Sequence, residues 1–320
     1  MQIEILPYNE DHITKPDSQQ LLTIGDNACL PGIIAGTFGW EAVNINAIDS
    51  KGNRLIVGAC IKAGKIVMLP HFSYGPSSNP EIASKILQAL KFKGFLCEWR
   101  MTSPVSEHTY TDKITTYLPL LAGFDEHLRQ FGSNIRRKIR KCSLNGIVVK
   151  KGNSGMLHDF YGIYSRNMHR LGSPALPQQW FAALLSQYRN GEVGIWCAYI
   201  GNQPVGAAFM LEYRGFYEAC WFSTNNRYNK LYTSYGLYSE MIRYAIEHGG
   251  RYFSFGRSTL KSSVHKYKQQ WGGIDLPLVW NYTHPQGRNI RSFSFLTKLW
   301  NLLPYPVARF IGPVIAGKLY

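Results

Sequence analysis

The chain has 320 residues, and its 45% hydrophobic residues are enough to form the core of a soluble globular protein. At roughly 150 residues per domain, this length predicts two domains. The 35 lysine and arginine residues exceed the 20 acidic residues and give a formal charge of +15. That excess favours anionic partners such as nucleic acid, phosphate-bearing donors or an anionic membrane surface; the alternative is a soluble protein whose pI is simply high.

The sequence gives no sign of a metal centre, a disulfide framework or a membrane-spanning helix. It has no C-x-x-C pair and no histidine cluster with ligand spacing, so we expect reduced core cysteines and no metal site. The stretch MQIEILPYNEDH lacks the basic and apolar regions of a signal peptide, and no apolar run approaches the roughly 18 residues of a membrane helix. These features predict a cytoplasmic protein. The six cysteines are Cys29, Cys60, Cys97, Cys142, Cys197 and Cys220.

Residues 1–122 have the pattern of a mixed α/β unit. The segment AVNINAIDSKGNRLIVGACIKAGKIVMLP alternates between polar and apolar residues, which predicts two or three strands joined by turns at 50–53 and 63–64. The segment NPEIASKILQALKFKG predicts a helix, because Pro80 lies in its first turn and Gly94 follows its end. FLCEWRM then predicts another strand.

A basic amphipathic segment begins at Phe124. Apolar residues recur every three or four positions up to Ile139, which predicts a helix, and a break at Gly132 would let Ser133 cap a second helix. The opposite face is basic, and it either forms a solvated surface or contacts the phosphates of tRNA, an anionic lipid or a nucleotide-sugar. The basic residues are Arg136, Arg137, Lys138, Arg140 and Lys141, of which Arg136, Arg137 and Arg140 are the anion-binding candidates.

The next segments predict the order α-α-β-β-β-α-β-α-β. Helices at 158–170 and 178–189 precede the strands GIWCAYI, PVGAAFMLEY and FYEACWFST. A helix at about 234–248, the strand YFSFG, the helix SVHKYKQQW and the strand LPLVWNY complete the series.

The last 30 residues are apolar and aromatic and contain three prolines. Two interpretations stay open for this tail. It either docks on the second domain or forms an interfacial anchor that makes the protein peripheral to the inner membrane. In the second interpretation the headgroup region holds Trp300, Phe310, Lys298, Arg309 and Lys318.

Five segments, in order, resemble the FemAB-like branch of the GNAT acyltransferase superfamily, in particular the FemAB-related proteins of exosortase and exopolysaccharide systems. YGP follows the strand IVMLP, and NIRRKIRKCSLNGIVV is similar to the family's basic connecting helix and the strand after it. LGSPALPQQWFAALL resembles its leucine-glycine-(Thr/Ser)-proline element, and STNNRYNKL resembles the segment before its long helix. FGRSTLKSSVHKYKQQWGG followed by PLVW is similar to its closing signature.

The resemblance implies an α+β fold of two tandem GNAT-like domains with mixed sheets. It implies a degenerate domain at 1–130, a catalytic domain at 131–290 and an apolar C-terminal tail at 291–320. The implied reaction is transfer of an acyl or aminoacyl group to an amine or hydroxyl acceptor in cell-envelope or exopolysaccharide biosynthesis. Fem enzymes use aminoacyl-tRNA to build peptidoglycan cross-bridges, whereas other branches are acetyltransferases that use acyl-CoA. We therefore expect no tightly bound cofactor, one of these anionic donors, and an envelope or saccharide-linked acceptor.

Two features depart from the wider family. The GNAT phosphate loop, Gln/Arg-x-x-Gly-x-Gly/Ala, is replaced by the segment 227–236, whose first glycine is Gly236. A bulky loop cannot bring backbone amides close to a pyrophosphate as glycines do. The helical arm that some Fem proteins insert for tRNA has no counterpart in the sequence. The donor therefore stays open between acyl-CoA and aminoacyl-tRNA.

The resemblance implies that Lys268 is the central catalytic residue, because it occupies the lysine of the family's aromatic-Lys-x-x-aromatic-Gly motif. An ammonium group there would hold a phosphate or stabilise a tetrahedral oxyanion; the alternative is a solvated helix lysine. Arg257 and Ser258 follow the strand YFSF, at the usual edge of a ligand crevice. Arg257 suits bidentate phosphate contacts or a structural salt bridge.

Other polar residues are candidates for substrate binding. Arg227 and Asn229 precede the long helix and would orient the donor or stabilise a turn. Tyr267 would contact substrate or pack in the core. Arg166 and Asn167 would line the acceptor side.

Three functions are compatible with these patterns. The first is a FemAB-like acyltransferase or aminoacyltransferase, in which either Glu218 on a central strand acts as the general base or the substrate or water takes the proton. The second is a non-catalytic RNA- or membrane-binding protein on a degenerate GNAT scaffold. The third is a conventional acetyl-CoA-dependent N-acetyltransferase.

Overall fold

The computed structural model describes residues 1–15, 21–69, 71–285 and 294–319, and within these ranges it contains twelve strands and ten α-helices. The strands are β1 (Gln2–Pro7), β2 (Glu41–Ile48), β3 (Arg54–Lys62), β4 (Lys65–Met68), β5 (Leu96–Met101), β6 (His108–Pro119), β7 (Ile147–Gly152), β8 (Val193–Ile200), β9 (Gln203–Tyr213), β10 (Phe216–Thr224), β11 (Tyr252–Thr259) and β12 (Ile274–Tyr282). The helices are α1 (Leu30–Phe38), α2 (Pro80–Phe92), α3 (Phe124–Gln130), α4 (Ser133–Leu144), α5 (Leu157–Arg170), α6 (Gln178–Gln187), α7 (Thr233–Glu247), α8 (Ser263–Gln269), α9 (Ser294–Leu302) and α10 (Tyr305–Leu319).

The described strands form one mixed sheet in the order β1-β2-β3-β4-β5-β12-β6-β11-β10-β9-β8-β7. Neighbouring strands are antiparallel except for the pairs β4–β5 and β10–β11, which are parallel. The late strand β12 lies between β5 and β6, and the early strand β6 lies between β12 and β11. The predicted mixed character of the sheet is confirmed, and the strands of both halves join in a single sheet.

Helices cover both faces of the second half of this sheet. On β9, Ala207, Phe209 and Leu211 join the apolar cluster formed with α5 and α6, whereas Ala208 and Met210 join the cluster formed with α4 and α7. This period-2 alternation is what a strand buried on both faces requires. A third cluster packs α2 against the strands of the first half.

The predicted helix order is confirmed with one correction. The break in the basic segment does separate α3 from α4, but Ser133 is the first residue of α4, and the capping position belongs to Gly132, which has no side chain to form the bond. At the other end of the second half, Ser262 caps α8 by accepting a hydrogen bond from the backbone N–H of His265.

The C-terminal helices pack against α5. The Tyr305 hydroxyl lies 2.8 Å from Ser165 Oγ, and His169 Nε2 lies 2.9 Å from the carbonyl oxygen of Leu303. Pro306 lies in the first turn of α10, where its missing N–H costs nothing. Among the described residues, no helix is long and apolar enough to cross a membrane. The boundaries at residues 130 and 290 stay predictions.

Candidate active site

The site is built where the parallel strands β10 and β11 separate. Their pairing covers three positions and ends at Glu218 opposite Ser254. Beyond this point β10 continues beside β9 to Thr224, and β11 continues beside β6 to Thr259. Each strand also has a register shift just after the last pair, between Ala219 and Trp221 on β10 and between Ser254 and Arg257 on β11. Bulges of this kind redirect side chains next to functional sites.

Gly256 allows β11 to bend at this point. Its φ is +69°, and a Cβ atom added there would lie 2.9 Å from the carbonyl oxygen of Ala219 on β10. Any other residue would be strained by the left-handed backbone conformation, and its Cβ atom would also crowd the Ala219 carbonyl oxygen. Glycine is therefore required at the position where the two strands begin to separate.

Glu218 is a buried carboxyl group at the base of the separation, with 2% of its surface exposed. Its two oxygens accept hydrogen bonds from Ser73 Oγ at 2.9 Å and from Ser254 Oγ at 3.0 Å. Burial raises the pKa of Glu218, while the two serine hydroxyls and the positive charges of Lys268 and Arg257 oppose the rise. The carboxyl group thus has a proton affinity higher than that of an ordinary glutamate.

Ser73 reaches Glu218 from the first half of the chain. It belongs to the segment 71–77, which Arg100 holds in place: its guanidinium donates to the Phe72 carbonyl oxygen at 2.8 Å, and its own carbonyl accepts from the Gly75 N–H at 3.0 Å. The neighbouring Tyr74 hydroxyl lies 3.3 Å from the carbonyl oxygen of Pro277 on β12. The motif YGP thus belongs to a segment that inserts into the second half and delivers Ser73.

Lys268 projects from α8 and is 4% exposed. Its Nζ donates to the carbonyl oxygens of Gly256 at 2.8 Å and Arg257 at 3.1 Å. Burial lowers the pKa of Lys268 to about 7; Glu218 opposes this change and Arg257 adds to it. The interpretation of Lys268 as a solvated helix lysine is therefore wrong.

A buried histidine fixes the position of α8. His265 Nδ1 accepts a hydrogen bond from the Lys261 N–H at 3.0 Å, so its Nε2 carries the proton that is donated to Asp275 at 2.8 Å. Trp271, 1% exposed, then packs edge-on against Phe131. These contacts hold the short helix, and therefore Lys268, against the kink in β11.

Arg257 and Ser258 lie on β11 directly after the kink. Arg257 is half-buried, and its backbone carbonyl accepts one of the Lys268 hydrogen bonds. The Ser258 hydroxyl is buried and has no hydrogen-bond partner among the described residues. The sequence separates Arg257 and Lys268 by ten residues, and the fold brings them together.

The segment before α7, residues 226–232, has no glycine-rich loop whose backbone amides could approach a phosphate group closely. Arg227 and Asn229 are exposed in a 3₁₀ turn (Asn226–Leu231), where Asn229 Oδ1 accepts from Thr224 Oγ1 at 2.9 Å. Tyr232, with φ +62°, provides the left-handed residue before the helix. Gly236 instead serves packing, because a Cβ there would lie 2.5 Å from the sulfur of Cys142 on α4.

The remaining predicted residues lie on two elements, α8 and α5. The Tyr267 hydroxyl donates to Ser234 Oγ at 3.1 Å, and its ring packs on Tyr235, which supports the packing interpretation. Asn167 Nδ2 donates to Ser223 Oγ near the end of β10 at 3.1 Å. Arg166 is exposed and lies over the ring of Tyr305, 5.2 Å from its centroid.

The basic helix α4 packs beside the N-terminal end of α7. Ile135 and Cys142 are buried, and Lys138 Nζ donates to the Tyr235 hydroxyl at 2.9 Å. The three arginines of the opposite side are exposed: they are Arg136, Arg137 and Arg140. Together they form an exposed cationic surface on α4.

A sequence model of the acetyltransferase (GNAT) domain family matches residues 129–269. This range contains β10, β11 and α8, and so it contains Glu218 and Lys268. No curated protein sequence matches the chain.

Several solved structures share the fold. FemX is 12% identical, with a TM-score of 0.58 over 86% of this chain and 96% of that one. The C-terminal domain of a putative lysylphosphatidylglycerol synthetase from Agrobacterium fabrum is 8% identical, with a TM-score of 0.55 over 80% of this chain and 87% of that one. A tandem GNAT protein from the clavulanic acid biosynthesis pathway is 8% identical, with a TM-score of 0.53 over 89% of this chain and all (100%) of that one. Residues 129–269 therefore match the acetyltransferase (GNAT) domain family, and the chain shares its fold with FemX, which confirms the predicted resemblance to the FemAB-like GNAT proteins.

Proposed function

We propose that the protein is a FemAB-like acyltransferase or aminoacyltransferase whose reaction centre lies at the separation of β10 and β11. The observation that carries the proposal is the buried Lys268 amine, held at the kink of β11 with its pKa lowered to about 7. Burying an ammonium group is unfavourable. Strongly perturbed ionisable groups that sit beside a specific charged partner are enriched at catalytic sites.

The residues of this site suit the two demands of acyl transfer. When an amine or hydroxyl attacks the acyl carbon, negative charge develops on the carbonyl oxygen, and a cationic Lys268 would stabilise it. The attacking atom must also lose a proton, which the Glu218 carboxylate would accept because burial raises its pKa. The new bond joins the acyl carbon to the acceptor, and the ester C–O or thioester C–S bond to the donor breaks. The leaving oxygen or sulfur then takes up a proton.

An aminoacyl-tRNA is the donor that the surroundings favour. The exposed arginines of α4, the helix that packs against α7 through Lys138 and Tyr235, would contact the phosphate backbone. The turn before α7 has bulky residues in place of glycines, which disfavours a CoA pyrophosphate in its usual pose. Acyl-CoA is the second candidate, because the family matched at residues 129–269 is an acetyltransferase family.

The acceptor in this proposal is an envelope or saccharide-linked amine or hydroxyl. Two of the fold neighbours are FemX and the C-terminal domain of a putative lysylphosphatidylglycerol synthetase, whose name refers to a lysyl-modified lipid. The reaction would take place in the cytoplasm, with the protein in contact with the inner membrane through its C-terminal helices.

Parallel transfer assays test the proposal. Purified protein is incubated with charged tRNA or with acyl-CoA and with candidate acceptors, and the acylated product is measured. Lys268→Ala should abolish transfer, whereas Lys266→Ala should not, because Lys266 is an exposed lysine of the same helix. Transfer from acyl-CoA alone, together with a rise in melting temperature on CoA titration, would assign the second donor. Equal activity of the Lys268→Ala and wild-type proteins would refute the catalytic role.

The non-catalytic alternative predicts a different result. A binding protein would show no transfer with either donor. Its affinity for RNA or membranes would fall modestly and in a salt-dependent way on loss of Lys268 or Arg257. An active wild type with an inactive, folded Lys268→Ala variant excludes this alternative.

A further inference from the structure

The C-terminal helices pack on the protein through small residues. In α10, Ala308 is 3% exposed and Ala316 is not exposed at all, and Gly312 lies between them on the same side. A Cβ atom at Gly312 would lie 3.4 Å from the backbone nitrogen of Ala175, so the helix backbone comes close to the protein here. The inward side of α10 therefore buries little side-chain surface of its own.

The outward side carries the large apolar residues, which is the reverse of a water-soluble amphipathic helix. Leu302 is 80% exposed and Phe310 is 83% exposed. Leu299 on α9 and Val307 and Val314 on α10 are 44%, 45% and 64% exposed. We call this set the apolar face, and it consists of Leu299, Leu302, Val307, Phe310 and Val314. Five exposed large apolar residues within the short segment 299–314 indicate an interaction site rather than ordinary surface variation.

Positive charge borders the apolar face. Arg166 and Arg170 are exposed on α5, against which the C-terminal helices pack, and Arg309 is half-exposed on α10 itself. The sequence contains no aspartate or glutamate after Asp275. The side chains of Lys298 and Lys318, which the sequence places at the headgroups, lie outside the described residues.

We propose that the apolar face binds the surface of a bilayer that contains anionic lipids. Phe310, Leu302 and their neighbours would enter the boundary between headgroups and acyl chains, and the bordering arginines would contact the lipid phosphates. The described helices do not cross the bilayer, so the protein lies on its surface. This proposal extends the proposed function by naming the contact face and the charge of its partner.

A second copy of the chain fits this face less well. The chain carries a formal charge of +15, and pairing two apolar faces would bring their arginine borders together. Like charges opposed across an interface disfavour association. An anionic bilayer supplies both the apolar interior and the opposite charge.

The test is vesicle sedimentation with the full-length protein. Wild type should bind vesicles of phosphatidylglycerol and phosphatidylcholine and should bind phosphatidylcholine vesicles at least about tenfold more weakly, because the arginines then lack an anionic partner. Leu302→Glu/Phe310→Glu should weaken binding by roughly a hundredfold, at about tenfold for each buried side chain that is lost. Both side chains are exposed, so circular dichroism should show an unchanged fold.

A matched control comes from elsewhere on the surface. Phe92 is 93% exposed and Leu144 is 77% exposed, so Phe92→Glu/Leu144→Glu changes the same residue types and the same charge. This variant should bind vesicles like wild type. The proposal is overturned if wild type does not bind the anionic vesicles, or if both double variants lose affinity equally. It is also overturned if light scattering shows a wild-type dimer that Leu302→Glu/Phe310→Glu converts to a monomer. Because the readout is binding and not turnover, the proposed reaction and this proposal can fail independently.

Discussion

Replacing Lys268 with methionine should leave the protein about as stable as wild type at pH 6.5 while abolishing transfer. The pKa of Lys268 is lowered from 10.5 to about 7, mainly by burial, and this difference corresponds to about 5 kcal/mol of unfavourable free energy for the ammonium form. Methionine removes that cost and roughly fills the same volume. It also leaves the Gly256 and Arg257 carbonyls without their donor, at about 1–3 kcal/mol each. The two effects are of similar size and opposite sign.

The pH dependence of stability provides an independent check on the same residue. Below pH 7 the lysine is protonated in both the folded and unfolded states, so it contributes no pH dependence. Between pH 7 and 10.5 the lysine is protonated in the unfolded chain but largely neutral in the folded protein. The free energy of unfolding of wild type therefore rises as the pH is raised through this range. From pH 7 to 8.5 this amounts to about 2 kcal/mol. Lys268→Met lacks this contribution, so wild type should gain about that much relative to the variant.

Urea denaturation of both proteins at pH 6.5, 7, 7.75 and 8.5 measures these differences. The same comparison in a Glu218→Gln background is the control. Glu218 raises the pKa of Lys268, so removing its charge should move the pH-dependent window to lower pH. A loss of more than about 3 kcal/mol for Lys268→Met at pH 6.5 would mean that the lysine mainly stabilises the fold. A stability difference that does not change with pH would show that its pKa is not lowered.

Gly256→Ala should cost about 2 kcal/mol or more, because it adds both left-handed strain and a contact with the β10 backbone. Gly272→Ala, at a similar positive φ but with open space around it, should cost only the strain, and equal losses by urea denaturation would contradict the close approach. Ser73→Ala removes a hydrogen bond that lowers the pKa of Glu218. The rate should therefore begin to fall at a higher pH as Glu218 becomes protonated. If this acidic limb of the pH–rate profile does not move, Glu218 is not the proton acceptor. Neutralising the three arginines of α4 should lower the slope of log K against log salt for tRNA binding by about 2. That variant is Arg136→Gln/Arg137→Gln/Arg140→Gln, and its control, which should leave the slope unchanged, neutralises the exposed residues Lys51, Lys85 and Lys93.

Local patterns were sufficient to predict the elements of the second half. The helix before β11 was expected at about 234–248 and lies at Thr233–Glu247, because an apolar stripe and a glycine after its end are encoded in neighbouring residues. The helix that carries Lys268 is likewise predicted from a short segment, whereas the strand before it does not end ahead of Arg257 as predicted but continues to Thr259. The motifs that resemble those of FemAB-like proteins predict Lys268 as a catalytic residue.

No local sequence pattern predicts which distant strands pair with each other. β12 lies beside β5, with Val279 opposite Met101, and nothing in either segment encodes a partner more than 170 residues away. The role of Ser73 depends on this pairing, because the segment 71–77 contacts β12 through Tyr74. No local pattern therefore marks Ser73 as a site residue, although it directly precedes the motif YGP. The burial of Lys268 was also hidden, since a lysine on a short polar helix normally indicates a solvated position.

The two halves of the chain complete one another at the site. Glu218 and Lys268 belong to the matched GNAT domain, but one of the two serine donors to Glu218 comes from the first half, held there by Arg100 on β5. The strand that continues beside β11 past the kink is β6, which also comes from before residue 130. Without β6 and Ser73, the edge of β11 would be unpaired and the buried carboxyl group would keep a single serine donor, which is costly in a low-dielectric interior. The first half is therefore a structural part of the candidate active site, because it pairs with the far end of β11 and donates a hydrogen bond to the buried carboxyl group.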